Sequence, residues 1–190
     1  LARALSQAQH SVLIQSPYLV LPDEAFPLLA DLRRRGVQVR VSTNSLASTD
    51  NLMAYSGYQK QRDALLRAGV EIHEFKPHPA LQAELLRRYP ALQDRQPVFA
   101  LHAKSMVVDN RTLFIGTFNL DPRSANLNTE VGVLLDNREL AGRLAASIER
   151  DMRPENSWLS TPAFNPDGLV PRSKRWQAGL YRLLPMQHVL

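Results

Sequence analysis

The feature that most constrains the fold is an alternation of apolar runs and amphipathic segments over the first 75 residues. Residues 10–16, 37–43 and 70–75 are short runs of strand character. Residues 23–36 and 58–68 lie between them, have helical character, and each ends at a glycine. This strand–helix–strand–helix–strand order predicts an α/β sandwich with parallel strands.

The second half of the chain continues the sheet. Residues 98–108 and 112–118 are predicted as two strands joined by an Asp-Asn-Arg turn, and residues 130–135 as a further buried strand. Asp136 and Glu139 then resemble a capping box that opens another helix, which is predicted to run through Met152. We therefore expect a mixed, largely parallel central sheet that is flanked by helices.

Length and composition favour one domain. A chain of 190 residues with 44% hydrophobic residues can bury one sizeable core, which we assign to residues 1–152. Residues 153–190 are predicted to be a basic and aromatic tail that packs on the domain or on a membrane surface. The chain begins with Leu1 and not with Met, so we expect it to be cut from something longer.

Charge and cysteine content exclude some functions. The net charge of +5 fits an anionic partner such as phosphate, nucleic acid or an acidic membrane, without choosing among them. The chain has no cysteine, which rules out disulfides, thiolate nucleophiles and cysteine-ligated zinc. No apolar run reaches the roughly 18 residues that span a bilayer.

The residues that indicate chemistry lie between positions 101 and 135. His102 and Lys104 are two apart in a predicted strand and should share one face, where an anion between them would relieve the burial of the lysine. Asn119 can donate a hydrogen bond to a phosphoryl oxygen, and Glu130 can hold one imidazole nitrogen of His102 protonated. This set suits phosphodiester chemistry without a metal or cofactor, provided that a second histidine protonates the leaving alkoxide.

Four further residues are candidates for substrate binding. Gly116 and Thr117 end the second of these strands, and a glycine there allows a backbone to approach a ligand closely. Asn44 and Ser45 follow the carboxyl end of a strand, where open α/β sheets bind ligands. An ordinary capping loop is the alternative for Asn44 and Ser45.

Other residues leave two interpretations open. Asp109 either takes part in catalysis or anchors the turn beside it, and Arg123 either contacts substrate or pairs with Asp121 to shape the floor of the site. Trp158 and Trp176 lie in the basic tail and would form either an interfacial lipid contact or a cover over the sheet.

The motif residues resemble the signature of the phospholipase D superfamily. H-x-K-x4-D falls at His102, Lys104 and Asp109, G-[ST]-x-N follows at residues 116–119, and Glu130 is similar to the acid that orients the histidine in that family. The resemblance implies a phosphohistidine intermediate, with His102 either attacking phosphorus or serving as general acid. In family members with two motifs the N-terminal histidine usually attacks, which favours the acid role for His102.

Most of residues 12–190 resembles the C-terminal half of bacterial cardiolipin synthases, including QSPYLVLPDE, VSTNSLASTD and FNLDPRSANLNTE. The resemblance implies a phosphatidyltransferase or phospholipase D acting on phospholipids, peripheral to the bacterial inner membrane or cytoplasmic. The chain carries a single motif, so the second half-site would come from a missing N-terminal half or a second copy, and the chain alone should be inactive. The alternatives are a dimeric nuclease, with nucleic acid the less favoured partner, and a non-catalytic phosphate-binding half.

Overall fold

A computed structural model describes residues 1–95 and 97–183, apart from the side chains of residues 93 and 94. Seven strands form a single sheet in the described chain. In chain order the strands are β1 (Ser11–Gln15), β2 (Gln38–Asn44), β3 (Val70–Phe75), β4 (Ser105–Val108), β5 (Thr112–Gly116), β6 (Gly132–Asp136) and β7 (Ser157–Ser160).

The strand order across the sheet is β6-β5-β4-β1-β2-β3-β7. β2 pairs in parallel with both β1 and β3, whereas the other four pairings are antiparallel. The expectation of a mixed sheet is confirmed, but the expectation that it is largely parallel is wrong. The short connection at residues 109–111 permits only an antiparallel pairing of β4 with β5, because a parallel pair needs a long crossover.

Helices cover both faces of the sheet, which confirms the predicted α/β/α arrangement. One face packs against α6 through a cluster that includes Leu13, Val107 and Ile148. The larger core on the other face takes residues from α2, α3 and α7. The helices are α1 (Ala2–Ser6), α2 (Ala25–Arg34), α3 (Leu52–Arg67), α4 (Gln82–Leu86), α5 (Pro122–Asn126), α6 (Arg138–Met152) and α7 (Arg172–Arg182), with 3-10 turns at Pro90–Arg95 and Pro166–Leu169.

Asparagine caps set two helix starts that the apolar pattern misplaced. Asn51 accepts hydrogen bonds from two backbone N–H groups of the first turn of α3, so this helix begins at Leu52 rather than at residue 58. Asn137, not Asp136, caps α6. Asp136 is still part of β6 and accepts hydrogen bonds from Arg111 across the hairpin.

β4 is shorter than the predicted strand over residues 98–108, because it begins at Ser105. Its partner β1 ends at Gln15, and Pro17 shortly afterwards has no N–H to extend a ladder. Leu101 is hydrogen-bonded to the side chain of Asn44 instead. His102 therefore lies on irregular chain ahead of β4.

The segment after residue 152 shares the sheet and the core. β7 pairs with β3, and α7 packs on α3. Val170 and Ala178 from this segment are buried in the larger core. A domain boundary at residue 152 stays a prediction. No helix among the described residues is long and apolar enough to cross a bilayer.

Candidate active site

The strand register brings the predicted site segments to one edge of the sheet. Ser105 of β4 lies opposite Gln15 of β1 and Ile115 of β5, and Gly116 of β5 lies opposite Gly132 of β6. The segments that follow β1, β2 and β5 therefore emerge together with those that precede β4 and β6. We call this region, formed by residues 44–50, 101–104, 116–119 and 128–131, the site edge.

Lys104 is the central cation of the site edge. Its Nζ donates a hydrogen bond of 2.8 Å to the backbone carbonyl of His102. Partial burial lowers the pKa of Lys104, while the negative charges of Asp50, Glu130 and Asp121 oppose that shift. Three carboxylates from three different segments thus favour the charged form of the ammonium.

His102 is exposed, and no other described residue forms a hydrogen bond with its ring nitrogens. The expected sharing of a strand face with Lys104 is wrong, because the chain is not a strand at this point. The segment is held through the preceding residue. The buried Asn44 amide donates to the Leu101 carbonyl at 2.9 Å and accepts from the Leu101 N–H at 2.8 Å. Asn44, expected to bind substrate, therefore positions the residue next to His102.

Glu130 is oriented by its neighbours on the site edge. It accepts hydrogen bonds from the Thr117 hydroxyl and from Asn128 Nδ2, the latter at 3.1 Å. These two bonds, the Thr117 bond first, lower the pKa of Glu130, and the Lys104 charge adds to them. Within the described chain the expected hydrogen bond from the His102 ring to Glu130 is not formed, and Thr117 binds Glu130 instead of standing free for substrate.

Asn119 has a buried polar atom that has no partner in the described chain. Its backbone N–H donates to Ser124 Oγ at 3.3 Å, but its amide oxygen is buried without a hydrogen bond. An unpartnered buried polar atom costs roughly 1–3 kcal/mol. A ligand group that donates a hydrogen bond to this amide oxygen, such as a hydroxyl, would remove the penalty, which is an independent sign of a binding site.

Asp109 is not brought to the site edge. It follows β4 at the end opposite Lys104, where its carboxylate accepts from the backbone N–H groups of Gln9, His10 and Ser11 at 2.7–2.9 Å. Burial opposes ionisation there, but the three bonds together lower the pKa of Asp109. This placement favours the anchoring role over the catalytic one.

Gly116 is required by the sheet itself. A Cβ at this position would lie 2.5 Å from the Val131 carbonyl oxygen and 2.7 Å from the Phe114 ring. The ring of Phe114 lies across Gly116 and its cross-strand partner Gly132. The space beside Gly116 was expected to admit a ligand. It is taken by β6 and by the Phe114 ring instead.

Ser45 and Arg123 were also predicted to bind substrate. Ser45 is buried and donates to the Phe75 carbonyl at 2.7 Å, so it holds the loop after β2. Arg123 is exposed and donates to Asn128 at 3.2 Å, and no pair with Asp121 forms in the described chain. Arg123 remains available to a ligand, whereas Ser45 does not.

Tyr18 of this region was missed as a site residue from sequence, whereas Asp50 was expected there, because it lies in the same loop as Asn44 and Ser45. The hydroxyl of Tyr18 lies 3.3 Å from Asp50, whose charge acts on Lys104. Tyr18 and Asp50 line an open groove that also contacts Tyr181 of α7. The sequence signal for both residues is their position, because Tyr18 follows β1 and Asp50 follows β2, and open α/β sheets bind ligands after such strand ends.

The assembled site is an open surface and not an enclosed cavity. His102 and Thr117 are exposed, while Lys104, Asn119 and Glu130 are half-buried. Phosphodiester cleavage needs one group to attack phosphorus and another to protonate the leaving alcohol. The described site edge offers a single histidine for these two tasks.

Solved structures share this fold. Phosphatidylserine synthase from Haemophilus influenzae Rd KW20 superimposes with a TM-score of 0.65 at 14% identity, covering 100% of this chain and 44% of that chain. Nuc, a phospholipase D family member from Salmonella typhimurium, gives a TM-score of 0.59 at 17% identity, covering 84% of this chain and 88% of that one. The class of the fold is therefore that of phospholipase D-like α/β domains.

Residues 1–152 match the family described as "Cardiolipin synthase, PLD-like domain", and the chain belongs to that family. It is 39% identical over 132 residues to cardiolipin synthase C of Escherichia coli K12, covering 67% of this chain and 26% of that protein. A probable cardiolipin synthase of Bacillus subtilis 168 is 29% identical over 177 residues, covering 93% and 31%. The chain thus spans less than a third of these curated relatives.

Proposed function

We propose that this chain supplies one of two half-sites of a phosphatidyltransferase that acts on phospholipid phosphodiesters through a phosphohistidine intermediate. The observation that carries the proposal is the convergence of Lys104, Asn119, Glu130 and the His102 segment at one sheet edge. A phosphodiester needs a cation and neutral donors around its oxygens, and an imidazole within reach. The Lys104 ammonium supplies the cation, and the side-chain NH2 group of Asn119 supplies a neutral donor.

In the proposed mechanism, the histidine of the second half attacks phosphorus and forms a P–N bond as the P–O bond to the leaving alcohol breaks. His102 gives its proton to that alcohol and then takes one from the acceptor alcohol, whose oxygen displaces the phosphohistidine. Lys104 and Asn119 stabilise the oxygens of the transition state, which carry the developing charge. The family resemblance favours the acid role for His102, and exposure of this residue suits exchange of protons with substrate.

The second half is proposed to dock on the outer face of β5 and β6. Val131 is 72% exposed and Val133 57%, and Ile115 and Leu135 are exposed beside them. Isolated exposed residues are ordinary, but a contiguous apolar patch marks an interface. This patch continues directly into Glu130, and the relatives are more than three times as long as the aligned region, which leaves room for a second half.

The decisive experiment uses the complete natural protein. Mixing it with labelled phosphatidylglycerol should yield cardiolipin, and phosphohistidine should be trapped by acid-free quenching of the reaction. Val133→Glu should lower activity by preventing the halves from meeting, whereas Leu159→Glu on the far edge strand should not. Absence of any phospholipid turnover with several donor head groups would defeat the proposal.

The alternative function, a dimeric nuclease, makes different predictions. It predicts plasmid nicking and DNA binding that weakens steeply with added salt. It also predicts activity in the isolated chain once two copies associate, while the proposed half-site is inactive as a monomer. Lost proximity of the second histidine accounts for that inactivity, since positioning contributes about 7–11 kcal/mol in favourable cases.

A further inference from the structure

α7 carries an apolar stripe that is largely exposed. Trp176 and Leu180 are one helical turn apart, and Leu183 follows on the same side at the end of the helix. Trp176 is 69% exposed and Leu183 80%. Ala178 on the opposite side is fully buried, so the helix is fixed with this stripe facing outward.

The charges of α7 are all of one sign. The helix contains Arg172, Lys174, Arg175 and Arg182 and no acidic residue. Lys174 is occupied within the fold, since its Nζ donates to the Ala47 carbonyl at 3.2 Å. Arg172 and Arg182 are exposed and lie at the first and last positions of α7. A helix with a tryptophan-leucine stripe and terminal arginines matches an anionic lipid surface.

The position of α7 connects this stripe to the site edge. The Lys174–Ala47 hydrogen bond ties the helix to the loop after β2, which belongs to the site edge. Tyr181 lines the open groove that Tyr18 and Asp50 also line. A binding partner that covers the stripe would therefore lie beside the site edge.

From this juxtaposition we infer that α7 docks the protein on an anionic phospholipid bilayer, with Trp176, Leu180 and Leu183 at the acyl boundary and Arg172 and Arg182 on the head groups. The choice of a bilayer over a protein partner rests on the proposed function and on the charge complementarity. Docking in this orientation presents the site edge to the membrane, so that a head group can reach Lys104 without leaving the bilayer.

The test measures sedimentation of the full protein with vesicles of phosphatidylcholine alone or mixed with phosphatidylglycerol. We expect binding to the anionic vesicles only, and a loss of at least about tenfold for Trp176→Ser combined with Leu180→Ser. Arg172→Gln and Arg182→Gln should each weaken binding about fivefold. Leu159→Ser is the matched control, because Leu159 is also an exposed leucine but lies away from α7. Its cross-strand partner His73 contacts α6, so Leu159 faces the α6 side of the sheet.

Fluorescence gives a second measurement that does not depend on activity. Trp158 is half-buried and lies beside Lys76, so a Trp158→Phe background leaves Trp176 as the one tryptophan of these 190 residues. Its emission should shift to the blue with anionic vesicles. An unshifted spectrum, or equal vesicle binding by the stripe variant and wild type, would overturn the proposal. Turnover of a soluble short-chain phospholipid should be unaffected by the stripe variant, which separates failure of docking from failure of the proposed chemistry.

Discussion

Two clusters of this molecule each combine a cationic side chain with carboxylates, but only one of them pairs the opposite charges. Inside the core, the Arg62 guanidinium lies between Glu74 at 3.0 Å and Asp167 at 2.9 Å, with all three side chains buried. At the site edge, the Lys104 ammonium is half-buried among carboxylates that it does not touch, and its hydrogen bond goes to a backbone carbonyl. The first cluster is completed by the fold, whereas the second leaves positive charge and an unpartnered amide for a ligand.

The buried cluster has a structural consequence. Burial raises the pKa of Glu74 although Arg62 favours its ionised form. Burial also opposes ionisation of Asp167, but the hydrogen bonds of Arg62 and its other donors prevail and lower the pKa of Asp167. Tyr55 and Gln59 of α3 are among those donors, so the cluster ties the 3-10 turn ahead of α7 to the core. The same tie fixes the outward face of α7.

The largest expected effect is a loss of activity when His102 of the site edge is replaced. In the complete protein, His102→Gln should reduce kcat by at least about a thousandfold, because a proton-transfer group is lost. The melting temperature should stay within a degree or two of wild type, since His102 is exposed and its ring has no partner in the described chain.

The matched control for this variant is His10→Gln, at the opposite end of β1 from the site edge. It should keep full activity. Equal activity of His102→Gln and wild type would favour the non-catalytic phosphate-binding role.

The next effect concerns stability. Arg62→Ala should lower the free energy of unfolding by about 3–5 kcal/mol, because two buried carboxylates lose their shared counter-ion. Urea unfolding followed by circular dichroism measures this. The exposed pair of Arg34 and Asp31 supplies the control, and Arg34→Ala should cost at most about 1 kcal/mol. Similar losses in the two variants would contradict the contrast drawn between buried and exposed charge.

The Glu74 carboxyl makes stability depend on pH. Its folded pKa is raised above the unfolded value of about 4.3. The folded protein therefore holds more protons than the unfolded chain between those two pKa values, and stability falls as pH rises through that window. Denaturation midpoints measured across the window should show this fall in wild type, and Glu74→Gln should remove it. A fall of equal size in Glu74→Gln would assign the dependence to another group.

A smaller effect tests the link between core and site. Asn44→Ala should lower kcat about tenfold to a hundredfold, because Leu101 is released and His102 moves with it. The loss of stability should be about 1–3 kcal/mol. Asn137→Ala, which removes a helix cap on α6, should cost about 1 kcal/mol and leave kcat unchanged. A purely structural role for Asn44 would make the two variants behave alike once both are folded.

The smallest effect is a shift of the pH profile. Thr117→Val removes the main hydrogen bond that lowers the pKa of Glu130, so that pKa should rise. Ionised Glu130 would then be lost at a higher pH as the solution is acidified. The acid limb of the kcat/KM profile should move upward by less than about one pH unit. An unmoved limb would show that Glu130 does not govern it.

Local pattern predicted several elements well. β3 begins and ends where the sequence places it, and the α6 helix runs to Met152 as expected. These elements follow from apolar periodicity and from terminal residues that act within one turn. The shortened β4 and the earlier start of α3 were not predicted, because a distant partner in one case and an asparagine cap in the other set the boundary.

By itself the sequence determined which side chains are the candidates for the proposed chemistry, since the spacing of His102, Lys104, Asn119 and Glu130 is a local property of the chain. The tertiary structure alone decided how they are held. The bond from Asn44 to Leu101, the bond from Thr117 to Glu130 and the removal of Asp109 to the far end of β4 all depend on strand order and register. Such contacts join segments that are far apart along the chain, and packing of the whole sheet selects them where local periodicity cannot.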